Sequence, residues 1–347
     1  MSNIKLFQLS RVWEQIGEEV LSLTNDSHCK GEAQNGEVTK RLESALALRY
    51  NRQYCITTAS GTDALDIALQ ALELPKKCPI SVNNYTFTAS AHAIQRAGYT
   101  VMPTDVNDNY CISPGDVKSC LAIMPVDLFG NMSDYNELSR LNLPMVVDAA
   151  QSMESHDSNH WSAEYGIASC LSFSPSKPIT SFGSGGAILT NDSNFALRCQ
   201  QLRLHGKIKN DNMAIAPGLN SMMSSAECIS VLCCLNYAND WRQRRQEIAE
   251  YIMSVSKYPC AIDLSIKQHT LSKLVFQSDA PDVVIKNLHD KNIDCVVHYR
   301  KLINDENIYR TNNMLNKSNF LKNISFTVPN QHTLTDNEVE RIAKALQ

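Results

Sequence analysis

The sequence predicts an α/β protein, with a large, mostly parallel α/β/α domain followed by a smaller C-terminal α+β domain. Three observations carry this. Short apolar runs alternate with helix-period stretches between about residues 54 and 190, the pattern of a parallel sheet with crossover helices. Chemistry-bearing motifs stand at the carboxyl ends of those runs, where open α/β sheets bind ligands. The 347 residues also exceed what one small core usually serves, so a second domain is expected.

Residues 38–50 place Val38, Leu42, Ala45, Leu46 and Tyr50 close to a helical stripe, which predicts an amphipathic helix packed on the main domain. A strand over 54–58 follows. Ala59-Ser60-Gly61-Thr62-Asp63 then reads as a strand-to-helix turn, its helix continuing through Ile67, Ala68, Ala71 and Leu72. Such a turn suits a phosphate, because the free amides of the first helical turn point outward and glycine allows close approach. Runs at 80–82, 100–102, 121–126, 145–147, 170–173 and 187–190 predict the further strands. A charged helical stretch over about 239–254 leads into the small domain, which ends in a strand at 324–328 and a helix at 336–346. The division expected is 1–235 for the large domain, with its N-terminal helical segment, and 236–347 for the linking helix and small domain.

Composition narrows the function. With 43% hydrophobic and 20% charged residues the chain has an ordinary globular balance. A formal charge of −4 without a dominant basic stripe argues against nucleic acid as a partner. The cluster Arg242-Gln243-Arg244-Arg245 reads as the solvated face of a helix. Twelve cysteines, scattered and without a CxxC pair, read as reduced and mostly buried; adjacent Cys233 and Cys234 read as helix core, and no metal site is expected. No apolar run approaches the roughly 18–20 residues of a membrane span. Lys5, Arg11, Glu14 and Glu18 do not form a secretory leader, so a cytoplasmic protein is expected.

The chemistry centres on Lys177, in Ser172-Phe173-Ser174-Pro175-Ser176-Lys177 ahead of the glycine-rich 182–186. An apolar segment ends upstream in Asp148, followed by Ala149-Ala150-Gln151. A lysine amine to condense with an aldehyde, an aspartate to hold a pyridine nitrogen protonated and short polar groups for a phosphate are the parts of a pyridoxal phosphate (PLP) enzyme. Alone, Lys177 would read as a surface lysine; its place between a strand end and a glycine turn selects the catalytic reading. Asp148 after a buried strand needs a cap, an ion pair or a cofactor partner. Gly183-Ser184-Gly185-Gly186 lacks GxGxxG spacing and is not a dinucleotide loop.

In order and spacing, SGTDAL at 60–65, TFTASAHAI at 86–94, PVDLFGN at 125–131, DAAQ at 148–151, SFSPSK at 172–177, GSGGAILTND at 183–192, RLHG at 203–206 and PGLN at 217–220 resemble the DegT/DnrJ/EryC1/StrS sugar aminotransferases. HYRKL at 298–302 and FTVPNQHTLTDNEVERIAKAL at 326–346 extend the resemblance to the C-terminal part. The resemblance implies PLP-dependent transferase fold type I and a homodimer whose two sites lie at the subunit interface. It implies Lys177 as the Schiff-base lysine and proton shuttle, and Asp148 as the partner of the pyridine nitrogen. Gln151 is implied near the phenolic oxygen and Phe87 stacked on the ring. Ser60, Gly61, Thr62 and Ser172 are implied at the phosphate, and Asn220 at the phosphate of the neighbouring subunit. Where relatives have an aromatic and then a basic residue after this asparagine, the chain has Ser221 and Met222, and Met153 stands where relatives often have histidine. No contact from the Ser221–Met222 positions to the donor carboxylate or sugar nucleotide is therefore carried over.

The reaction so implied moves an amino group from glutamate, leaving 2-oxoglutarate, to a keto-deoxysugar linked to dTDP, UDP or GDP, for amino sugars of bacterial surface polysaccharides such as O-antigen lipopolysaccharide. Alternatives are amination of a keto-cyclitol, as in aminoglycoside pathways, and a PLP-binding regulator without turnover. A sister branch that deoxygenates sugars has histidine at the lysine position, and Lys177 speaks against it.

Overall fold

The apolar runs become strands because each buries side chains on both of its faces. A computed structural model describes residues 3–208, 213–263, 265–311 and 314–347. The large domain contains α1 (Leu9–Cys29), α2 (Glu37–Arg49), β1 (Tyr54–Thr58), α3 (Gly61–Gln70), β2 (Pro79–Asn83), α4 (Ala89–Arg96), β3 (Thr100–Thr104), β4 (Ala122–Met124), α5 (Tyr135–Ser139), β5 (Val146–Asp148), β6 (Ala168–Ser172), β7 (Gly186–Thr190) and α6 (Ser193–Arg203). Then come α7 (Ser225–Val255), β8 (Leu274–Gln277), α8 (Pro281–Asp290), α9 (Asn316–Ile324), β9 (Ser325–Val328) and α10 (Asp336–Leu346).

The strand order is β1-β7-β6-β5, joined through the parallel bridges Ile123–Met145 and Val126–Asp148 to β4, then β2 and β3. Among these strands β7 alone runs against its neighbours, so the sheet is mostly parallel, as the alternation predicts. Consecutive strand residues face opposite sides. Ile56, Cys170 and Ile188 pack with α3, α4 and α6, whereas Cys55, Leu171 and Leu189 pack with α1, α2 and α7. Burial on both faces explains the nearly continuous apolar character of the runs.

The charged stretch expected at 239–254 is the second half of α7, one helix of 31 residues. Ser224 caps it, its hydroxyl accepting from the Glu227 amide at 3.3 Å. The first half buries Cys228, Val231, Cys233 and Cys234 in the large core, and the second half buries Ile248 and Ile252 in the small one. The expected divide at 235/236 thus falls inside a continuous helix. The basic cluster differs from expectation: Arg245 is not solvated but buried, because its side of the helix faces Glu154 and Thr270, whose carbonyl accepts from Nε at 3.0 Å.

The small domain pairs β8 antiparallel with β9 and packs Phe276 and Phe326 in one core with Leu288 of α8 and Ile342 of α10. Arg11 of α1 reaches across to Glu338 of α10 with two hydrogen bonds of 2.6 and 2.8 Å. All twelve cysteines are free, and ten of them are buried. Among the described residues no helix is long and apolar enough to cross a membrane.

Candidate active site

The turn from β1 into α3 is built around an N-cap. Ser60 has extended φ/ψ, and its hydroxyl accepts from the Asp63 amide at 3.1 Å, while its carbonyl takes the Ala64 amide. Those bonds leave the Gly61 and Thr62 amides free to face a ligand. Close packing demands glycine twice. A Cβ on Gly61 would lie 2.6 Å from the Ser172 Cβ, and one on Gly186 would lie 2.5 Å from the Ser60 carbonyl oxygen. The ends of β1, β6 and β7 therefore converge on the first turn of α3. Ser221 is buried here: its hydroxyl donates to Asp63 at 2.8 Å and accepts from the Ala59 amide at 3.1 Å.

Asp148 ends β5 and is buried at the floor of a cleft of about 420 Å³. Its carboxylate accepts from the Ser90 hydroxyl at 2.8 Å and from the Ala150 amide at 3.2 Å. Burial pushes the Asp148 carboxyl up, and the Lys177 charge and the Ser90 bond oppose it. Lys177 lines the same cleft from the loop between β6 and β7. Burial pushes its amine down, and Asp148 opposes that shift. The result is a primary amine with a larger neutral, nucleophilic fraction than a surface lysine has.

Ser60, Gly61, Thr62, Phe87, Gln151 and Ser172 all line this cleft. Phe87 stays 55% exposed, its ring 5.9 Å from that of Tyr299, a shape suited to covering a planar ligand. Gln151 is tied at both ends: Oε1 accepts from the Phe129 amide at 3.0 Å and Nε2 donates to the Tyr299 hydroxyl at 3.2 Å. Asn220 is not brought into the cleft of its own chain; it is exposed, in a bridge with Leu204.

Sequence reasoning assigned no role to Ser90, Lys273, His298 or Tyr299, which also line the cleft. Ser90 and Tyr299 stood inside quoted motifs, and their contacts with Asp148 and Gln151 were the missing signal. His298 is held by the Thr327 hydroxyl at 3.0 Å, and burial, with Lys273 and Lys177 adding, lowers it to about 3. It is a neutral imidazole.

These residues fit PLP. The glycine-cradled turn with the Ser172 hydroxyl offers donors to a phosphate, the buried Asp148 carboxylate could hold a pyridine N–H, and Lys177 offers an amine to an aldehyde. No group of three His, Cys, Asp or Glu able to hold a metal occurs among the described residues.

Comparison with known proteins gives the same frame. The chain is 26% identical to a "Pleiotropic regulatory protein" of Geobacillus stearothermophilus, over 86% of this chain and 84% of that one. It is 31% identical to a UDP-2-acetamido-2-deoxy-3-oxo-D-glucuronate aminotransferase of Pseudomonas aeruginosa, over 64% of each chain. Its fold superposes on the crystal structure of a DegT DnrJ EryC1 StrS aminotransferase from Brucella abortus with a TM-score of 0.91 at 24% identity, covering 99% of this chain and 98% of that one. Matched by the family's model over residues 14–347, the chain belongs to the DegT/DnrJ/EryC1/StrS aminotransferase family and is a PLP-dependent aminotransferase of fold type I.

Proposed function

We propose that the protein transfers an amino group from glutamate to the keto group of a nucleotide-linked keto-deoxysugar, releasing 2-oxoglutarate and an amino sugar for surface polysaccharide. The observation that carries this is the meeting of Lys177, Asp148 and the α3 turn in one cleft of about 420 Å³. The named activity of the P. aeruginosa relative supports a nucleotide sugar as acceptor.

Bound PLP supplies the carbonyl that carries the amino group and an electron sink for the substrate carbanion. Gly61, Thr62 and Ser172 would bind its phosphate, with Ser60 shaping the turn, and Phe87 would cover the ring. Asp148, oriented by Ser90, would pair its carboxylate with the protonated pyridine nitrogen, which in turn would favour its charged form against the burial. Gln151, held by Phe129 and Tyr299, would offer the remaining N–H of its amide to the phenolic oxygen. Lys177 Nζ would take the proton from the substrate carbon that bears the amino group and, as the conjugate acid, hold it for the second half of the same transfer. Asn220 belongs to the site of a second copy, which makes the working unit a cytoplasmic homodimer with shared sites.

The test is a panel of dTDP-, UDP- and GDP-linked keto-sugars incubated with glutamate, with products identified by NMR. Stoichiometric 2-oxoglutarate and an aminated sugar are expected; no amination of any keto-sugar would reject the reading. The relative named as a regulatory protein favours a second reading, a PLP-binding regulator without turnover. The Ser90 hydroxyl bonded to Asp148, with Lys177 in the same cleft, favours turnover, and the same assay separates the two.

A further inference from the structure

Beside Lys177 a second cavity, of about 40 Å³, shares Leu6, Ser176, Lys177 and Lys273 with the main cleft. Its walls carry polar groups that the protein leaves unsatisfied. Arg245 is buried, and neither of its terminal nitrogens has a hydrogen-bond partner. Glu154 stands 3.6 Å from one of them and engages Arg49 with its other oxygen. His332 Nε2 and Asn330 Oδ1 are also without partners. Lys273 Nζ reaches the carbonyls of Ser272 at 3.1 Å and Ser176 at 3.3 Å, which leaves one of an ammonium's three donors for the cavity.

The charges are unbalanced in one direction. Arg245 and Lys273 line the cavity beside Lys177, no Asp or Glu is among its lining residues, Glu154 reaches Arg245 only at 3.6 Å, and a buried cation left uncompensated is costly. A ligand group that completes this site is an anion. A volume of about 40 Å³ admits on the order of three waters, or one carboxylate, and no sugar ring.

We propose that Lys273, with Arg245 behind it, forms a carboxylate-binding subsite that receives the acidic end of a substrate held at Lys177. The proposal rests on the transamination reading and deepens it, because the carboxylate has two sources there: the distal end of a dicarboxylic amino donor, or an acidic sugar. Burial, with Lys177 and Arg245 adding, lowers Lys273 to about 7. Asp148, His298 and Tyr299 share the main cleft with it, His332 shares the second cavity, and Glu154 faces Arg245 behind it. Lys273 loses its charge as pH rises above 7, so carboxylate affinity falls across that range. An arginine at the position stays charged.

Titration calorimetry on the holoenzyme tests this without turnover, using glutarate against butyrate and UDP-glucuronate against UDP-glucose. In Lys273→Met the advantage of the acidic ligand is expected to fall at least tenfold. Loss confined to glutarate assigns the subsite to the donor, loss confined to UDP-glucuronate assigns it to the sugar, and loss of both makes it common to the two. In Lys273→Arg, affinity persists and its decline between pH 7 and 9 disappears. Unchanged affinities in a Lys273→Met protein that retains its cofactor overturn the proposal. Should that variant not fold, unchanged affinities in a Lys273→Gln protein that retains its cofactor overturn it as well. Carboxylate binding through Lys273 in a protein that aminates no keto-sugar would reject the proposed acceptor and leave the subsite standing.

Discussion

Burial drives Asp148 and Lys177 toward neutrality from opposite sides, the carboxyl up and the amine down, and each charge partly restores the other. Removing either should therefore change chemistry more than architecture. Lys177→Ala is expected to keep PLP through the turn and ring contacts, to lose roughly 10²–10⁴-fold in amine transfer, and no longer to be labelled covalently by borohydride. Asp148→Asn preserves shape but not charge; roughly a 10²–10³-fold loss is expected in the single-turnover step, with substrate affinity little changed. Stopped-flow absorbance of the bound cofactor separates the two effects. A change in affinity alone would make Asp148 a structural residue.

At the scale of elements, the convergence of β1, β6 and β7 on α3 leaves no room at Gly61. Gly61→Ala forces a Cβ against Ser172, an overpacking of about 1–3 kcal/mol, and is expected to weaken PLP retention by roughly 10–100-fold in a folded protein, as equilibrium dialysis would show. Between α1 and α10, the hydrogen bond from Arg11 holds Glu338 down at about 2. A depressed folded value means that this stabilisation is full above the ordinary 4.5 and is lost as pH falls toward 2. Arg11→Ala should cost about 1 kcal/mol at pH 7 and almost nothing near pH 2, measured by denaturant melts at both. The strand at 54–58 and the helix at 336–346 were legible because period and bounding residues agree there. The direction of β7 was not, since an apolar run looks the same read either way. Nor was the continuity of α7, whose buried side passes from one core to another midway. In the site, Lys177 and Asp148 announced themselves through neighbours in sequence, whereas Lys273 enters from the edge of β8 with no local motif and becomes visible only through what it faces.

For the whole molecule, the exposed Asn220 carries the assembly prediction. Mixing an inactive Lys177→Ala chain with an Asn220→Ala chain shown to be severely impaired should restore activity in heterodimers, because one site then carries both lesions and the other neither. A fully active monomer by light scattering at assay concentration, or verified heterodimers without activity, would remove the shared site. The sheet itself imposes an order in time. β1 has β7 as its partner, Thr58 lying opposite Gly186, and the strands made between them belong further along the sheet. During synthesis β1 stays unpaired until residue 190 has left the ribosome, and the cleft stays open until Lys273 and Tyr299 have followed. Cofactor capture is thus a late event in the life of the chain, and a nascent polypeptide halted before β8 should hold PLP far more weakly than the released protein.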